Sequence, residues 1–527
     1  MVAALAAILL LSSQISGAQD VVERVYVSTD RNVYLSGERV WCSLFCMDGR
    51  NDRLAKEGSA VCYLELVSAE GTAVEAKAGM LDGRGAGSFT LPATLPTGNY
   101  RLFAYTGTGS VSPSGSRLIS VYNPFTARRV KGGVVCAESW PVQEPAAEDD
   151  PALEVRMDPV APGTVSFRSE AEMTLSVSLV RCDSLGQLPL PSIRDFVSAR
   201  EALPGGEPEY DGEVIRGRVL GVADGAQAYL SSAGSVSDTY VSRVDDQGRV
   251  SFSTGNIYGD RELVTEVEGG SEHTYIIIES PFLHPEAGDI PSLVLSPAQE
   301  KALLERKAVL QAPVRPDTLA SALSHPEDLL FAGMPWDVYR LDDYTRFPSV
   351  PEIIVELLPG VRISRVRGRR VFTMVAPDGS EGRKYRKENI LTMMDGVILT
   401  DLAPLMHFDA MLLDRVEVCN RSFVIGRTPF EGVINFVSKN LYVTNLSFPD
   451  RVRVTDFRGV SYPVALTGNV PKGAYTLYWN PLLSLPGGRE EVLLQLPVPS
   501  DPGKWILLIE GIAGNGRPVR EILPIIY

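Results

Sequence analysis

The sequence is poor in histidine and lacks the short motifs of the common catalytic and metal sites. Four histidines stand singly along 527 residues, and the close cysteine pair, Cys42 and Cys46, has no second pair near it. Zinc sites place such ligands at short spacings. The G-x-S-x-G, HExxH, Walker and dinucleotide-binding glycine motifs are also missing. We therefore predict that the chain is not an enzyme, and we assign no catalytic residue, no metal and no cofactor.

The chain also lacks an excess of positive charge. With 65 acidic and 50 basic residues its formal net charge is −15, which opposes a general attraction to nucleic acid or anionic lipid. We predict no nucleic-acid partner. Five arginines make the clearest local basic patch, which indicates either a solvated hairpin or a site for an anion or partner: Arg362, Arg365, Arg367, Arg369 and Arg370.

No apolar run reaches the roughly 20 residues that a membrane-spanning helix needs. The run from Val2 to Leu11 is followed by small and polar residues and by Ser16-Gly17-Ala18, which predicts a signal peptide over residues 1–18. We expect an exported mature chain without a transmembrane segment.

Export would place the six cysteines in an oxidising compartment, where disulfides are permitted. Cys42 and Cys62 lie on strands that we predict to be neighbours. They are expected either to pair or to remain as buried free thiols.

Glycine, proline and short apolar runs are abundant instead. The 47 Gly and 37 Pro separate runs rich in Val, Leu, Tyr and Phe, which is typical of strands joined by tight turns. One stretch of helix formers carries a narrow apolar stripe of Leu303, Leu304 and Leu310. We predict a mainly β, multi-domain chain with a β-sandwich at 19–125, a second at 150–285, a helical linker at 286–335, a small α/β domain at 336–440 and a C-terminal β-sandwich at 441–527.

Two motifs in the first module carry a family resemblance. The Thr29–Glu38 stretch, TDRNVYLSGE, precedes Trp41, and GAGSFTLPATLPTGNYRLFAYT follows later with Gly98 and Tyr100 near its end. Together they resemble a macroglobulin-type domain, which implies an Ig/macroglobulin-like sandwich. The Cys-Gly-Glu-Gln run of that family's thioester is missing. In the second module, VDDQGRVSF resembles the turn and strand of regulatory sandwich domains, and we predict a β-turn there rather than a calcium loop.

The α/β module has the clearest local signals. SVPEIIVELLPGV predicts a helix opened by a capping box from Ser349 to Glu352 and ended at Pro359-Gly360. Asp395-Gly396 lies between apolar pairs and predicts a tight hairpin. The runs VRISRV, VFTMV, DRVEV and FEGVINFVSK predict strands on which the helix packs.

The order of these signals resembles the plug domain of TonB-dependent outer-membrane receptors. The matching positions are Pro359, Gly360, Asp395, Gly396, Val397, Arg415, Glu417, Gly426, Gly432 and Asn435. A receptor barrel needs roughly 22 strands, whereas residues 441–527 follow the plug-like module here and read as a sandwich. The whole order resembles uncharacterised exported proteins from Bacteroidetes that combine both modules without the β-barrel.

These resemblances lead to three hypotheses for the function. The first is a non-catalytic envelope interaction protein, accessory to outer-membrane uptake or surface assembly, in the periplasm, at the outer membrane or on the cell surface. The second is a component or regulator of a TonB-dependent transporter whose barrel is a separate chain. The third is a macroglobulin-like, protease-interacting protein without a thioester. Three aromatic residues are expected either to form a contact patch for a protein partner or to pack in the core: Trp336, Tyr339 and Tyr344.

Overall fold

The chain is mainly β, as the sequence predicts. The structure is a computed structural model and describes residues 21–138, 146–182, 185, 191–221, 224–232, 238–310, 319–321, 335–366, 369–375, 386–425, 428–440, 443, 446–467, 470, 473–499 and 502–526. The predicted signal peptide at 1–18 lies outside these residues. Within them, no helix combines the length and the apolar character that crossing a membrane requires.

The polypeptide forms two compact units, each assembled from separate stretches of sequence. The first unit contains Met1–Gly212, Phe282–Ser324 and Val460–Tyr527. The second unit contains Glu213–Pro281 and His325–Gly459.

The elements of the N-terminal half, in chain order, are strands β1 to β21 with helices α1 and α2. Up to Gly212 they are β1 (Glu23–Thr29), β2 (Val33–Leu35), β3 (Arg39–Asp48), β4 (Arg53–Leu54), β5 (Val61–Ser68), β6 (Gly71–Leu81), β7 (Arg84–Thr90), β8 (Gly98–Tyr105), β9 (Arg117–Tyr122), β10 (Val134–Cys136), β11 (Leu153–Met157), β12 (Thr164–Ser169), β13 (Met173–Arg181) and α1 (Ile193–Ser198). Beyond it they are β14 (Val214–Leu220), β15 (Gln227–Ser232), β16 (Asp238–Arg243), β17 (Arg249–Ser253), β18 (Arg261–Val267), β19 (Tyr275–Ile278), β20 (Leu293–Leu295), α2 (Pro297–Leu310) and β21 (Leu319–Ser321).

The elements of the C-terminal half continue the numbering. They are β22 (Asp337–Arg340), α3 (Val350–Leu357), β23 (Val361–Val366), β24 (Arg369–Val375), β25 (Arg386–Lys387), β26 (Ile390–Met394), β27 (Val397–Ile398), α4 (Ala403–Met406), β28 (Leu413–Cys419), β29 (Phe423–Ile425), β30 (Thr428–Phe430), β31 (Gly432–Ser438), β32 (Arg453–Phe457), β33 (Val460–Ser461), β34 (Val464–Leu466), β35 (Thr476–Leu485), β36 (Val492–Gln495), β37 (Lys504–Ala513) and β38 (Pro518–Ile526). Short 3₁₀ turns lie at Leu341–Asp343 and Ala410–Leu412.

The strands of the first sandwich in the first unit are hydrogen-bonded into one continuous sheet with the order β1-β3-β7-β6-β5-β8-β9-β2. Strand β4 also pairs with β3, and β33 also pairs with β6. The Thr29–Glu38 motif of this sandwich folds around a buried acid. The Asp30 carboxylate accepts the Tyr34 hydroxyl at 2.6 Å and the Trp41 N–H at 3.2 Å, and burial raises its pKa. The motif thus ties the turn after β1 to the strand that follows it.

The cysteines of this sandwich are free. Cys42, Cys46 and Cys62 are buried in the same core, and burial raises the pKa of each thiol. The prediction that Cys42 and Cys62 lie on neighbouring strands is wrong, because β7 and β6 stand between β3 and β5 in the sheet.

A second sandwich of the first unit pairs strands that are far apart in sequence. Its sheets are β21-β34-β35-β13-β37-β38 and β11-β12-β36, and they share one apolar core. Strand β13 pairs with β35 on one side and with β37 on the other. These pairings join stretches that the sequence analysis assigns to separate modules at 150–285 and 441–527. The predicted boundaries stay a prediction.

Helix α2 packs on the first unit through a buried arginine and through only part of the predicted leucine stripe. Leu304 is 70% exposed, and Leu303 is only partly buried; the side chain of Leu310 lies outside the described residues. Arg306 is 2% exposed on its side chain, 3.1 Å from the Glu38 carboxylate. Its guanidinium also lies 3.9 Å from the centre of the Tyr475 ring. A long basic side chain that finds an acid and an aromatic face can be buried in this way.

One buried carboxylate joins the two sandwiches of the first unit. Glu510 accepts the hydroxyl of Ser28 at 2.7 Å and that of Tyr26 at 3.0 Å, and it forms an ion pair with Arg117 at 3.2 Å with both side chains fully buried. Burial acts to raise the pKa of Glu510, but Arg117 and Arg520 outweigh it and hold the pKa below its usual value.

The second unit contains a sandwich and a small α/β module. The sandwich consists of β17-β14-β19 and β16-β15-β18-β32 around a common core. The α/β module has the sheet β22-β28-β31-β26-β27, in which β26 and β31 run parallel. Helix α3 begins after Ser349, whose N–H donates to Glu352 at 3.3 Å as the capping box predicts, and buries Ile353 and Ile354.

The predicted basic patch lies on the hairpin of β23 and β24. Arg365 pairs with Arg370 across it, and the side chains of Arg362, Arg365 and Arg370 are exposed. Arg367 and the side chain of Arg369 lie outside the described residues. The exposed arginines on this hairpin agree with the first of the two alternatives, a solvated hairpin, rather than requiring an anion or partner site.

The buried Arg117–Glu510 pair generates a stability prediction. Glu510→Gln leaves the Arg117 charge buried with a weaker partner, and we expect the free energy of unfolding of the first unit to fall by about 3 to 5 kcal/mol. The double variant Arg117→Met, Glu510→Met removes both charges and is expected to lose less. Urea unfolding followed by tryptophan fluorescence measures both. An equal or larger loss in the double variant would contradict the prediction.

A second prediction concerns pH. Burial, followed by the charges of Asp149 and Asp150, raises the pKa of Glu521 from 4.5 to about 8. The folded chain therefore keeps a proton on Glu521 that the unfolded chain releases above pH 4.5. We expect the free energy of unfolding to fall as pH rises from 4.5 to 8, by at most about 1.4 kcal/mol per pH unit. Glu521→Gln should flatten this slope in urea titrations, and an unchanged slope would refute the assignment.

Candidate functional site

The structure brings most of the plug-like motif residues together around one hairpin. Asp395 and Gly396 have φ values of 49° and 80°, as a two-residue hairpin with both central residues in the left-handed region requires. The Asp395 carboxylate accepts the N–H and the hydroxyl of Ser438, both at 2.7 Å, and the N–H of Val443 at 3.2 Å. Because Asp395 is 1% exposed, this carboxylate holds the hairpin rather than facing solvent.

A chain of hydrogen bonds continues from the turn. The Gly396 N–H donates to Asn435 at 3.3 Å, and the Asn435 amide donates to Glu417 at 3.0 Å. Arg415 donates to the other oxygen of Glu417 at 2.8 Å. Glu417 and Arg415 are partly exposed, so only this end of the chain reaches the surface.

The remaining motif positions serve backbone geometry and packing. Pro359 and Gly360 end α3, with Gly360 at φ 87°, and Val397 is fully buried. A Cβ on Gly432 would lie 2.8 Å from the Met374 sulfur and 3.0 Å from the Cys419 carbonyl oxygen, so a side chain there would require its neighbours to shift. Gly426 lies outside the described residues. A docking role for this set stays a prediction.

The three aromatic residues do not form one patch. Trp336 packs partly against one core cluster and Tyr339 against another, whereas Tyr344 is 47% exposed. Trp336 and Tyr339 therefore agree with the core-packing alternative, and of the three residues Tyr344 is the one that is largely exposed to solvent.

A cleft of about 870 Å³ lies in the first unit, where the two sandwiches meet. The loop between β3 and β5 supplies one wall, and the ends of β13 and β37 supply another. This loop passes close to Gly83. A Cβ on Gly83 would lie 2.7 Å from the Ala55 nitrogen, and the φ angle of Gly83 is 73°. Glycine at this position thus lets the wall form.

Charged side chains of both signs line the cleft. The acidic ones are Glu23, Asp48, Glu57, Asp82 and Glu172, and the basic ones are Arg50, Arg53, Lys56 and Arg84.

Some of these charged side chains make hydrogen bonds within the cleft, and others are exposed to solvent. Arg84 donates to Thr174 at 3.0 Å and so connects the two walls. Hydrogen bonds from Arg50 lower the pKa of Asp48 below its usual value. Arg53, Lys56 and Glu57 are exposed, and Tyr210 is 56% exposed. The open side chains are of the kinds that make polar and aromatic contacts at protein interfaces.

Sequence reasoning missed this cleft. Its lining comes from four stretches, near residues 21–23, 48–58, 82–84 and 172–174, together with Tyr210, Ile512 and Gly514. One local signal was present, since the loop NDRLAKEG carries four charges in eight residues. Nothing local indicates which strands would stand opposite this loop.

The hairpin network generates a third prediction. Asp395→Ala removes three hydrogen bonds to buried donors and places a non-glycine side chain without local support at positive φ, so the second unit should lose at least about 2 kcal/mol of stability. Asp246→Ala, at an exposed turn of the same unit, is the control and should change stability little. Thermal unfolding of both variants measures the difference, and equal midpoints would show that the network is dispensable.

No protein-family model and no curated protein matches the sequence. Among solved structures, the chain is similar to a Salmonella alpha-2-macroglobulin reacted with methylamine, at 10% identity over 97% of this chain and 40% of that one, with a TM-score of 0.26. It is also similar to the native conformation of Escherichia coli alpha-2-macroglobulin, at 10% identity over the same shares with a TM-score of 0.25, and to dimeric latent PorU from Porphyromonas gingivalis, at 10% identity over 52% of this chain and 34% of that one with a TM-score of 0.17. The chain spans about 40% of the length of these macroglobulins. At such TM-scores the description of the fold rests on the geometry given above.

Proposed function

We propose that the chain is a non-catalytic binding protein of the bacterial cell envelope whose charged cleft receives a polar segment of a protein partner. The observation that carries the proposal is the cleft itself. It is large enough for several side chains of a partner, and it offers acids, bases and an exposed tyrosine within one concave surface. Complementary charges of this kind set the specificity and speed of association.

The chemistry of the lining supports binding rather than turnover. Among the described residues that line the cleft there is no histidine, cysteine or serine. The Thr174 hydroxyl accepts a hydrogen bond from Arg84 and so helps to hold the two walls together. The signal peptide predicted at 1–18 supports the envelope as the compartment.

Two narrower forms of the proposal concern the partner. In the first form the partner is an outer-membrane barrel, which the plug-like motif in the second unit supports. In the second form the partner is a protease, which the Thr29–Glu38 motif of the first sandwich supports. Because the thioester run is missing from the sequence, the protease form would act without covalent capture.

The cleft generates a fourth prediction. Arg53→Glu together with Lys56→Glu reverses two exposed cleft charges without touching a buried group. We expect the immobilised variant to capture its envelope partner at least about tenfold less than the wild type, because the charge pattern that complements the partner would be altered. Capture should also fall as ionic strength rises.

The matched control is Arg128→Glu together with Lys131→Glu, which reverses two exposed charges outside the cleft. Quantitative mass spectrometry of material bound from envelope extracts compares the three proteins. Partners that bind the cleft variant as well as the wild type would contradict the proposal. Inhibition or retention of an added protease distinguishes the protease form from the barrel form.

A further inference from the structure

A histidine and two glutamates converge on one face of the first sandwich, apart from the cleft. His284 Nδ1 lies 3.2 Å from a Glu65 oxygen and 3.7 Å from a Glu75 oxygen. One ligand atom from each of the three residues lies within 4.8 Å of the other two. The imidazole is 55% exposed, whereas the Glu65 side chain is completely buried.

Glu65 is held so that one of its oxygens is directed at this group. Its Oε1 accepts the Tyr105 hydroxyl and the backbone N–H groups of Leu283 and His284, the latter two at 3.1 and 3.0 Å. Its Oε2 accepts the Thr72 hydroxyl at 2.8 Å and faces the His284 ring. Hydrogen bonds from β8, from β6 and from the segment Phe282–His284 therefore hold the Glu65 carboxylate in a fixed position.

The two glutamates also face each other directly. Glu65 on β5 and Glu75 on β6 are a cross-strand pair in the antiparallel register. Like charges at directly opposite positions destabilise a sheet. A positive group between them would offset that repulsion, and His284 is the side chain that the structure places there.

The two nitrogen-to-oxygen distances are close to those between the ligands of a metal ion, and the two carboxylate oxygens lie within 4.8 Å of each other. Zn²⁺ binds imidazole nitrogen and carboxylate oxygen at about 2.0 to 2.2 Å in tetrahedral geometry, so its ligand atoms stand roughly 3.3 Å apart. The nitrogen-to-oxygen distances of 3.2 and 3.7 Å need only small adjustments to reach this value. One nitrogen with two carboxylates suits Zn²⁺ and related transition metals better than Ca²⁺ or Mg²⁺, which prefer oxygen alone.

We propose that Glu65, Glu75 and His284 form a three-ligand site for a divalent transition-metal ion of the Zn²⁺ class, with a fourth position open to water. The ion ties the segment Phe282–His284 to strands β5 and β6. That segment already packs on the sheet through the Phe282 ring, 5.8 Å from the Tyr63 ring. The site is independent of the cleft and of the proposed binding function.

The test uses the full mature chain in a Cys136→Ser background, because Cys136 is an exposed thiol that would compete for zinc. Isothermal titration with ZnCl₂ at pH 7.5 should give one ion per chain. His284→Asn and Glu75→Gln should each weaken binding at least about 100-fold, since loss of even an outer-shell partner costs about 10- to 100-fold. Asparagine suits position 284 because its φ is 50° and asparagine tolerates the left-handed region.

The control is His273→Asn, which replaces another exposed histidine and should leave zinc affinity unchanged. Zinc should raise the melting temperature of the parent but not of the two ligand variants. Circular dichroism confirms that each variant is folded, and the two ligand variants test the same site separately. Absence of zinc binding in the parent, undiminished binding in both variants, or equally tight binding of Ca²⁺ would overturn the proposal.

Discussion

The buried carboxylate of Glu510 holds the two sandwiches of the first unit together. A charge at the centre of a protein is tolerated only when several donors meet it, and Tyr26, Ser28 and Arg117 do so from two strands of the first sandwich. Glu510 itself lies on β37, in the second sandwich. Because Tyr26 and Glu510 are 484 positions apart, satisfying this one charge requires the N-terminal and C-terminal strands to meet.

The cleft is a consequence of that meeting. Its walls come from the loop beside β3 and from the ends of β13 and β37, so it exists only where the two sandwiches are joined. Trp479 adds to the junction by packing against Trp41 of the first sandwich. A binding surface that is formed before the partner arrives loses little entropy on binding, which suits the proposed role.

The α/β module of the second unit shows how a recognisable motif can serve the fold. Asp395, Gly396 and Asn435 are conspicuous in the sequence, yet they are buried and hydrogen-bonded to neighbouring strands. A buried polar group must find partners, and once it has them it specifies one arrangement of the strands.

Local structure was determined by the sequence itself. The capping box at Ser349, the Asp395-Gly396 turn and the Thr29–Glu38 motif all act within a few residues, through hydrogen bonds and backbone angles that neighbouring side chains dictate. Tertiary structure alone decided the rest. Strand β13 alternates apolar residues with Ser176 and Ser178, which suggests one exposed face, yet both serines are buried because their face of the sheet, which also carries Trp479 and Glu510, packs against the first sandwich. The cleft and the cluster of Glu65, Glu75 and His284 likewise depend on contacts between distant stretches, and such contacts are selected by the packing of whole sheets rather than by any local pattern.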